Sequence, residues 1–209
     1  DFLPVFLNLK NRPCLVVGGG EVAARKVALL LQAGADVTVV APELGPTLAQ
    51  CAQEGRISYR KGRFALEDVP QSCAVVVAAT DQGEVNRQVS EIAQSRNIPV
   101  NVVDHPELCS FIMPAIIDRS PVIIAVSTGG SSPVLARLLR ARLESAIPAA
   151  YGRLAAFAER FRAKVKARFG NTNERRMFWE KTLQGTVAEM VFTGQEEAAA
   201  AALEQELKG

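Results

Sequence analysis

The chain has 209 residues, of which 48% are hydrophobic and 22% are charged, and its formal net charge is +2. This composition is typical of a soluble globular protein with one sizeable core and a smaller second domain. The near-neutral charge, the 6% of aromatic residues and the lack of a recognition motif argue against nucleic acid as a partner.

The cysteines and the start of the chain indicate the compartment. Cys14, Cys51, Cys73 and Cys109 form no CxxC pair and no cluster with the single histidine, so we expect reduced thiols and no preformed metal site. The first residues do not resemble a signal peptide, and no apolar run approaches the roughly 20 residues of a membrane span. We therefore expect a cytoplasmic protein that does not enter a membrane.

The first half of the chain alternates between short apolar runs and helical patterns. Continuous Val, Ile and Leu runs separated by helices are typical of parallel strands covered on both faces. We predict an α/β fold in which residues 1–113 form a Rossmann-like, NAD-binding domain. The predicted strands are Cys14–Val17, Asp36–Ala41, Arg56–Arg60, Cys73–Ala79 and Ile98–Val103, and the predicted helices are Glu21–Ala33, Leu44–Glu54 and Gly83–Ser95.

The pattern changes after Pro114. Two short strands, Ile116–Ile117 and Val122–Val126, are followed by a helix with Ser132 as its N-cap, which predicts a small α+β segment over residues 114–147. Helical patterns follow, with breaks at Pro148 and at residues 170–173. We predict a helical domain over residues 148–209, whose Ala/Glu-rich tail from residue 195 is either a helix or a linker.

The turn after the first strand carries the pattern G-x-G-x-x-A directly before a helix. Its first glycine permits a tight turn, its second lets the backbone approach a pyrophosphate, and Ala23 allows the helix to pack closely on the sheet. The helix start offers free N–H groups to phosphates. Glycines needed only for positive φ would explain the loop without a ligand. We predict a dinucleotide site that includes Gly18, Gly20, Glu21 and Val22.

The second strand lacks the acidic residue that usually contacts the adenosine ribose. Ala41 and Pro42 follow it, the nearest carboxylate is Glu43, and no Arg or Lys occupies that segment. The missing cation argues against the 2′-phosphate of NADP, so NAD is the expected cofactor. We predict that Pro42 and Glu43 lie near the ribose; the alternative makes Glu43 a first-turn acid of the next helix.

The fourth and fifth strands end in small and polar residues. Thr80 follows the fourth strand and is predicted either to contact the cofactor or to cap the next helix. Asp104 follows the fifth strand, at the edge where an open parallel sheet binds its ligands. We predict that Asp104 faces the nicotinamide as a general base. The alternative is a turn or capping residue before Pro106.

Five motifs together are similar to those of one enzyme family. They are Gly18–Lys26 (GGGEVAARK), Ala78–Asp81 (AATD), Asn101–Asp104 (NVVD), Ser110–Ala115 (SFIMPA) and Ser127–Pro133 (STGGSSP). The paired NVVD and SFIMP segments are the most specific. From Leu3 to at least Trp179, the chain resembles the precorrin-2 dehydrogenase/sirohydrochlorin ferrochelatase module of siroheme synthases.

This resemblance implies a bifunctional enzyme of siroheme biosynthesis. Such enzymes transfer hydride from precorrin-2 to NAD, which gives sirohydrochlorin, and then insert Fe²⁺ as a second substrate. The aspartate that matches Asp104 is the base assigned to both reactions. Members form homodimers through the segment after the Rossmann domain, here residues 114–147. In larger members a tetrapyrrole methyltransferase domain follows, and we expect none within these 209 residues.

The implied tetrapyrrole substrate carries many carboxylates, which cations and amide groups must meet. Arg137 shares a helical face with Arg140, and the amides of the loop before this helix form a second anion site. The Asn101 amide either holds the substrate edge or orients Asp104. The predicted substrate-binding residues are Asn101, Ser127, Thr128, Gly129 and Arg137.

The competing hypothesis is a non-catalytic NAD-sensing module that regulates a partner through the helical tail. It explains Gly18–Ala23 but gives no reason for Asn101–Asp104 or Ser110–Pro114. Tight NAD binding without tetrapyrrole binding would favour the sensor. Formation of NADH from precorrin-2 would favour the enzyme.

Overall fold

The computed structural model describes residues 2–208. They divide into two units, and the boundary in the chain lies between Met113 and Pro114. The first unit has a parallel sheet between two apolar clusters, and the second has a β-hairpin and a helical cluster of its own.

Five parallel strands form the sheet of the first unit: Pro13–Val17 (β1), Asp36–Ala41 (β2), Ser58–Lys61 (β3), Val75–Ala78 (β4) and Val100–Val102 (β5). They lie in the order β3-β2-β1-β4-β5, which is that of a Rossmann-like fold. The central strands are apolar along their whole length because helices cover both faces.

Three helices connect these strands: Glu21–Gln32 (α1), Pro46–Gln53 (α2) and Gly83–Ser95 (α3). Ala23 and Val27 of α1 join the core on one face of the sheet, together with Leu48 of α2. Val89 and Ala93 of α3 join the core on the other face. The apolar residues recur at helical spacing, so each helix buries one stripe.

The predicted Rossmann-like fold is confirmed, and its element boundaries differ from prediction by at most two residues, with β2 and α3 predicted without error. The apolar run that begins at Ile98 is an example. The Ile98 N–H donates to the Ala93 carbonyl at 2.9 Å, so this residue closes α3 and the strand starts only at Val100. Hydrogen bonding at helix ends, rather than apolar character, decides such boundaries.

The second unit begins with a hairpin of two antiparallel strands, Ala115–Arg119 (β6) and Val122–Val126 (β7). The helix Pro133–Ala146 (α4) follows it. The Leu135 N–H donates to the Ser132 side-chain oxygen at 3.2 Å, which confirms the predicted N-cap.

Four further helices complete the second unit: Ala150–Arg168 (α5), Thr172–Gln184 (α6), Thr186–Phe192 (α7) and Glu196–Lys208 (α8). Their shared core includes Phe157, Val191 and Leu203, all almost fully buried. α7 has no counterpart among the predicted elements, because seven residues are too few to show a clear helical period.

The Ala/Glu-rich tail is a packed helix, so the linker alternative is wrong. α8 buries Ala199 and Leu203 in the helical core. On its exposed side, Glu204 pairs with Lys164 of α5 at 2.5 Å. Alanine and leucine recur at the spacing of one helical face, which is the feature that separates a docking helix from a helical linker.

No helix within residues 2–208 is long and apolar enough to span a membrane.

All four cysteines are free thiols, and Cys14, Cys51 and Cys73 are buried. Burial, with a smaller effect of Cys73 nearby, raises the pKa of the Cys14 thiol to about 11. Burial also raises the pKa of Cys73. These two thiols therefore stay protonated and unreactive at neutral pH.

Candidate cofactor and active site

The candidate site lies at the carboxyl edge of the parallel sheet. The strand order reverses between β1 and β4, which is where an open α/β sheet forms its ligand crevice. Val17 is in register with Ala78, and Ala78 with Val102, so β1, β4 and β5 end at one level. The turns after these three strands therefore border the same edge.

Gly18 and Gly19 let the turn after β1 contact two neighbouring turns. Gly18 has φ of 127°, and a Cβ there would lie 2.2 Å from the Ala79 carbonyl oxygen. A Cβ on Gly19 would lie 1.9 Å from the Glu43 carbonyl oxygen. The Gly45 N–H also donates to the Gly19 carbonyl at 2.8 Å. Gly18 forms the tight turn expected from the sequence, whereas the requirement for glycine at position 19 was not predicted, because its contact lies in a different turn.

The start of α1 is open to a ligand. Gly20 is the N-cap, and a Cβ there would meet no atom within 4 Å. No side chain caps this helix, so the N–H groups of Glu21, Val22 and Ala23 have no hydrogen-bond acceptor within residues 2–208. Free N–H groups, the positive end of the helix dipole and open space over a glycine fit a pyrophosphate.

A pocket of about 510 Å³ lies at the ends of β2 and β3. Tyr59 forms part of its wall, and its hydroxyl donates to the Ala41 carbonyl at 3.1 Å. Glu43 lines the pocket and precedes α2, which starts at Pro46, so the alternative role of Glu43 as a first-turn acid is wrong. The predicted ribose position beside Pro42 and Glu43 coincides with this pocket and stays a prediction.

The pocket contains a cation, Lys61, although the segment after β2 contains none. Lys61 is in register with Ala41 at the end of β3 and lines the same pocket as Glu43. Lys61 is distant in the chain from the end of β2 and reaches the pocket only through strand pairing, so the residues after β2 gave no sign of it. The preference for NAD over NADP thus stays a prediction. The lack of Arg or Lys after β2 no longer supports it, because Lys61 supplies a cation to the same pocket.

Thr80, after β4, is held by a buried asparagine. Its hydroxyl donates to Asn86 Oδ1 at 2.7 Å and accepts from the Gln82 N–H at 3.1 Å. Asn86 is 2% exposed and donates back to the Thr80 carbonyl at 3.0 Å. Gln82, not Thr80, is the N-cap of α3. The cofactor contact of Thr80 stays a prediction, and Asn86 is a positioning residue that the sequence analysis missed.

Asp104 stands exposed in the turn after β5. Its φ of 61° lies in the left-handed region, which aspartate tolerates better than most residues. Its carboxylate accepts no hydrogen bond and forms no ion pair within residues 2–208, so Asp104 belongs to the turn without acting as a cap. Two inter-strand spacings separate β5 from β1, about 10 Å. The carboxylate therefore lies at the same sheet edge as the glycine turn.

Side chains of the segment after Asp104 fold back and bind the outer edge of β5. Cys109 Sγ and Ser110 Oγ accept hydrogen bonds from β5 backbone N–H groups at 3.1 and 2.8 Å. Asn101 Nδ2 donates to the Phe111 carbonyl at 3.1 Å, and Asn101 is only 8% exposed. The Asn101 amide thus fixes this segment, and its predicted contact with substrate stays a prediction.

The single histidine pairs with a neighbouring acid. His105 Nδ1 lies 3.0 Å from Glu107 Oε1. The pKa of Glu107 is lowered, first by its own backbone N–H and then by His105. Within residues 2–208, no group of three or more His, Cys, Asp or Glu side chains is arranged to hold a metal ion.

Lys26 is a half-buried cation that the sequence analysis named only as part of a motif. It lies on α1, and its ammonium interacts electrostatically with Asp104 and with Cys109. Burial lowers the pKa of Lys26, and the charge of Arg25 lowers it further. A signal was available, because Lys26 lies three residues after the buried Ala23 and thus at the flank of the buried stripe.

In the second unit, the loop before α4 (residues 127–132), which was predicted to bind anions, forms hydrogen bonds mainly within itself. The Gly129 N–H donates to Ser127 Oγ, and the Ser132 N–H donates to Thr128 Oγ1, both at 3.0 Å. The Ser131 N–H donates to the Thr128 carbonyl. Several amides that were expected to bind anions are therefore engaged. Substrate contacts of Ser127, Thr128 and Gly129 stay predictions.

The arginines of the second unit differ in their partners. Arg119 donates to the Ile147 carbonyl at 3.0 Å, and Arg119 and Arg140 both pair with Glu144. Arg119 thus joins β6 to α4 and to the residue after it, whereas the Arg140 ion pair lies within α4. Arg137 is exposed and forms no ion pair within residues 2–208, so it is open to an anion.

Three family models match consecutive parts of the chain. The model described as Putative NAD(P)-binding matches residues 5–115, Sirohaem biosynthesis protein central matches 119–146, and Sirohaem synthase dimerisation region matches 150–207. The chain belongs to the siroheme synthase family. The model named for dimerisation lies C-terminal to residues 114–147, to which the sequence analysis assigned that role, and the predicted domain boundaries stay a prediction.

Curated relatives agree with this membership. The siroheme synthase of Methylobacillus flagellatus is 59% identical over 209 residues, which cover 100% of this chain and 44% of the relative. The siroheme synthase of Nitrosospira multiformis is 58% identical over 212 residues, which cover 100% of this chain and 45% of the relative. The chain thus spans less than half of the length of each. The predicted family resemblance is confirmed.

A solved structure shows the same fold. SirC, a precorrin-2 dehydrogenase, aligns with a TM-score of 0.77 over 99% of each chain, at 24% sequence identity. The glycine turn, the free start of α1 and the adjoining pocket fit a dinucleotide, which agrees with the NAD(P)-binding model over the first unit.

Proposed function

We propose that the chain catalyses the NAD-dependent dehydrogenation of precorrin-2 to sirohydrochlorin and then inserts Fe²⁺ to give siroheme. The observation that carries the proposal is Asp104, an exposed carboxylate without a hydrogen bond at the sheet edge that bears the dinucleotide turn. Siroheme synthases among the relatives support this choice of reaction.

In the first unit, the cofactor and the tetrapyrrole occupy different parts of the crevice at the carboxyl edge of the sheet. Gly18, Gly20 and the free N–H groups of Glu21 and Val22 hold the pyrophosphate, and the pocket at Pro42 and Glu43 holds the adenosine. Bound NAD supplies the hydride acceptor. Thr80 lies between the glycine turn and β5, on the nicotinamide side, which leaves the turn after β5 for the tetrapyrrole.

Asp104 takes the proton of the dehydrogenation. Oxidation of the reduced ring removes a hydride and one proton, the latter from a pyrrole nitrogen or an adjacent carbon. Bound NAD would accept the hydride, and the residue of this chain that is placed to accept the proton is Asp104, through one of its carboxylate oxygens. Because Asp104 is exposed, its oxygens are open to the substrate and can then pass the proton to water.

Metal insertion needs the same kind of group. Two pyrrole protons leave when Fe²⁺ enters the macrocycle, and Asp104 accepts them in turn. Fe²⁺ is a substrate, held mainly by the ring nitrogens.

The substrate's carboxylates require hydrogen-bond donors and cations, which the Asp104 carboxylate does not supply. The residues that we propose as substrate-binding groups are Asn101, Ser127, Thr128, Gly129 and Arg137. A homodimer is the expected form, since residues 150–207 match a model named for dimerisation. In the longer relatives a methyltransferase domain is expected to follow the matched part.

The test is incubation of the chain with precorrin-2, NAD and Fe²⁺ under anaerobic conditions, with absorbance followed with and without each component. We expect NADH and sirohydrochlorin when NAD is present, and siroheme only when Fe²⁺ is added. Failure to form NADH from precorrin-2 would overturn the proposal.

The NAD-sensing alternative is not favoured, because it leaves Asp104 without a role and the relatives are biosynthetic enzymes by name.

A further inference from the structure

A cavity with a basic lining lies within the helical part of the second unit. Its volume is about 320 Å³, and it is lined by Arg162, Val165, Lys166, Arg175 and Trp179. Three of these five side chains are cationic, and no acidic residue of the described part of the chain belongs to the lining. The volume lies at the lower end of the range for small-molecule sites, so the cavity fits a small ligand or one edge of a larger one.

Helical spacing brings the lining residues together. Arg162, Val165 and Lys166 follow each other at i, i+3 and i+4 along α5, and Arg175 and Trp179 are four residues apart on α6. Val165 is fully buried, so the wall of the cavity is apolar at this point. The cavity therefore combines an apolar wall with cations from two different helices.

Arg175 is oriented by the start of its own helix. Its Nε donates to the Asn171 carbonyl and its Nη2 donates to Thr172 Oγ1, both at 3.1 Å. Two of the five guanidinium N–H groups are used in this way, so three remain for a ligand. Arg175 is half-buried and forms no ion pair within residues 2–208. A guanidinium that is already held in place is suited to the paired oxygens of a phosphate or carboxylate.

Trp179 supplies the flat surface of the cavity. Phe178 packs against it edge-on, with ring centroids 5.6 Å apart and an interplanar angle of 69°. Phe178 also contacts Phe169, which follows α5, at a centroid distance of 5.2 Å. These ring contacts fix the position of the indole, which is only half-buried. A partly exposed indole offers a stacking surface to a flat ligand ring.

Many cations of α5 and α6 outside the cavity already have acidic partners. These ion pairs are Arg160–Glu196, Lys164–Glu204, Arg176–Glu180 and Lys181–Glu206. Lys166, like Arg175, has no ion pair among the residues that the structure describes. Arg162 pairs with Glu159 on its own helix, and both side chains are at least 70% exposed, so this pair is weak and opens at little cost. The cavity thus gathers cations that are available to an anion.

We propose that this cavity binds a small planar anion, in which a flat ring carries two or more phosphate or carboxylate groups. The ring lies against Trp179, and Arg175 and Lys166 bind the acidic groups. Two kinds of molecule have this chemistry: a free mononucleotide and one edge of a polycarboxylate tetrapyrrole. The cavity belongs to the second unit, whereas the dinucleotide turn belongs to the first, so the inference goes beyond the proposed function.

The cations are tested by calorimetric titration of the full chain with ADP and with uroporphyrin, as probes of the two kinds of ligand. Arg175→Met and Lys166→Met should each weaken binding of the planar anion by roughly tenfold, since one charge-assisted hydrogen bond is lost. Arg176→Met is the matched control, because Arg176 is the exposed neighbour of Arg175 and does not line the cavity. This control should bind as wild type, and the melting temperature of each variant checks its folding.

The ring contact is tested with Trp179→Leu and with pyrophosphate, which has charge but no ring. Trp179→Leu should weaken binding of the planar anion by roughly tenfold and leave pyrophosphate affinity unchanged, since only stacking is lost. Trp179 is the single tryptophan of the chain, so quenching of its fluorescence by ADP reports on this cavity directly. Pyrophosphate that binds as tightly as both planar probes would overturn the role of the indole.

The outcomes separate the two kinds of ligand. Binding of ADP that depends on Arg175 identifies a free nucleotide, and binding of uroporphyrin that depends on Arg175 identifies a tetrapyrrole edge. If neither probe binds, or if Arg175→Met changes neither affinity, the inference is wrong. Residues 150–207 match the model named for dimerisation, so the oligomeric state of each variant is also measured. A variant that alters this state with unchanged affinities would assign the cavity to an interface between copies and would overturn the inference.

These measurements do not depend on turnover. A chain that forms no NADH from precorrin-2 would overturn the proposed function and leave the cavity's affinities unaffected. Unchanged affinities in Arg175→Met and Lys166→Met, in a chain that forms NADH, would overturn only the inference about the cavity.

Discussion

The turns after β1 and β5 lie at the same sheet edge but are built in opposite ways. The turn after β1 requires glycine, because the backbone of Gly18 and Gly19 lies so close to the carbonyls of Ala79 and Glu43 that a Cβ atom would overlap them. The turn after β5 depends on side chains, since Asn101 and Cys109 anchor the return segment with hydrogen bonds. Asp104 is outside this network.

Because the two turns are built differently, substitutions in them should affect folding and catalysis to different extents. In the glycine turn, the group that meets the ligand is the backbone itself, so a substitution at Gly18 or Gly19 alters fold and binding together. In the turn after β5, the supporting side chains and the exposed carboxylate are different residues. The chemistry at Asp104 can therefore be removed without disturbing the support.

The largest expected effect is that of Asp104→Asn. Asparagine also tolerates the left-handed backbone, so the turn should keep its shape. Loss of the proton acceptor should lower precorrin-2 turnover by about 100-fold or more. Steady-state NADH formation measures the loss, and NAD affinity and melting temperature serve as controls. Turnover near that of wild type would remove Asp104 from the mechanism.

The pair Gly19→Ala and Gly20→Ala tests the glycine turn. A Cβ at Gly19 would overlap the Glu43 carbonyl, so this variant should lose about 1–3 kcal/mol of unfolding free energy and bind NAD poorly. A Cβ at Gly20 meets open space, so that variant should fold normally and weaken only NAD binding. Denaturant unfolding and NAD titration distinguish the two. Equal stability of both variants would contradict the assignment.

Asn101→Ala should break the support of the turn after β5. Removal of the amide leaves the Phe111 carbonyl without its donor, which should cost about 1–3 kcal/mol of unfolding free energy. Activity should fall with it, because the segment that carries Asp104 loses an anchor. If stability stays at the wild-type level while KM for the tetrapyrrole rises, the amide contacts substrate instead.

The smallest effect concerns cofactor choice. Lys61 and Glu43 line the pocket assigned to the adenosine, and they act on a 2′-phosphate with opposite signs. Lys61→Ala should weaken NADP binding by roughly threefold, as expected for an exposed charge, and leave NAD binding unchanged. Glu43→Gln should strengthen NADP binding. Titration with both dinucleotides gives the ratio, and equal changes for NAD and NADP would remove Lys61 from this pocket's chemistry.

Much of the site could be predicted because its signals are local. The G-x-G-x-x-A turn, the uncapped helix after it and the position of Asp104 behind an apolar strand all follow from short stretches of chain. The roles of Thr80 and Asn101 were less predictable. Their partners, Asn86 and Phe111, are six and ten residues away and meet them only after α3 and the return segment have folded.

Hydrophobic periodicity and glycine sterics act over a few residues, so the amino-acid sequence alone was enough to predict the parallel sheet, the dinucleotide turn and the position of Asp104 at the sheet edge. The position of Lys61 in the pocket beside Glu43, and the packing of the Ala/Glu-rich tail as α8, became known only from the folded chain. These outcomes depend on helix packing and strand register, which join residues that are far apart in the chain.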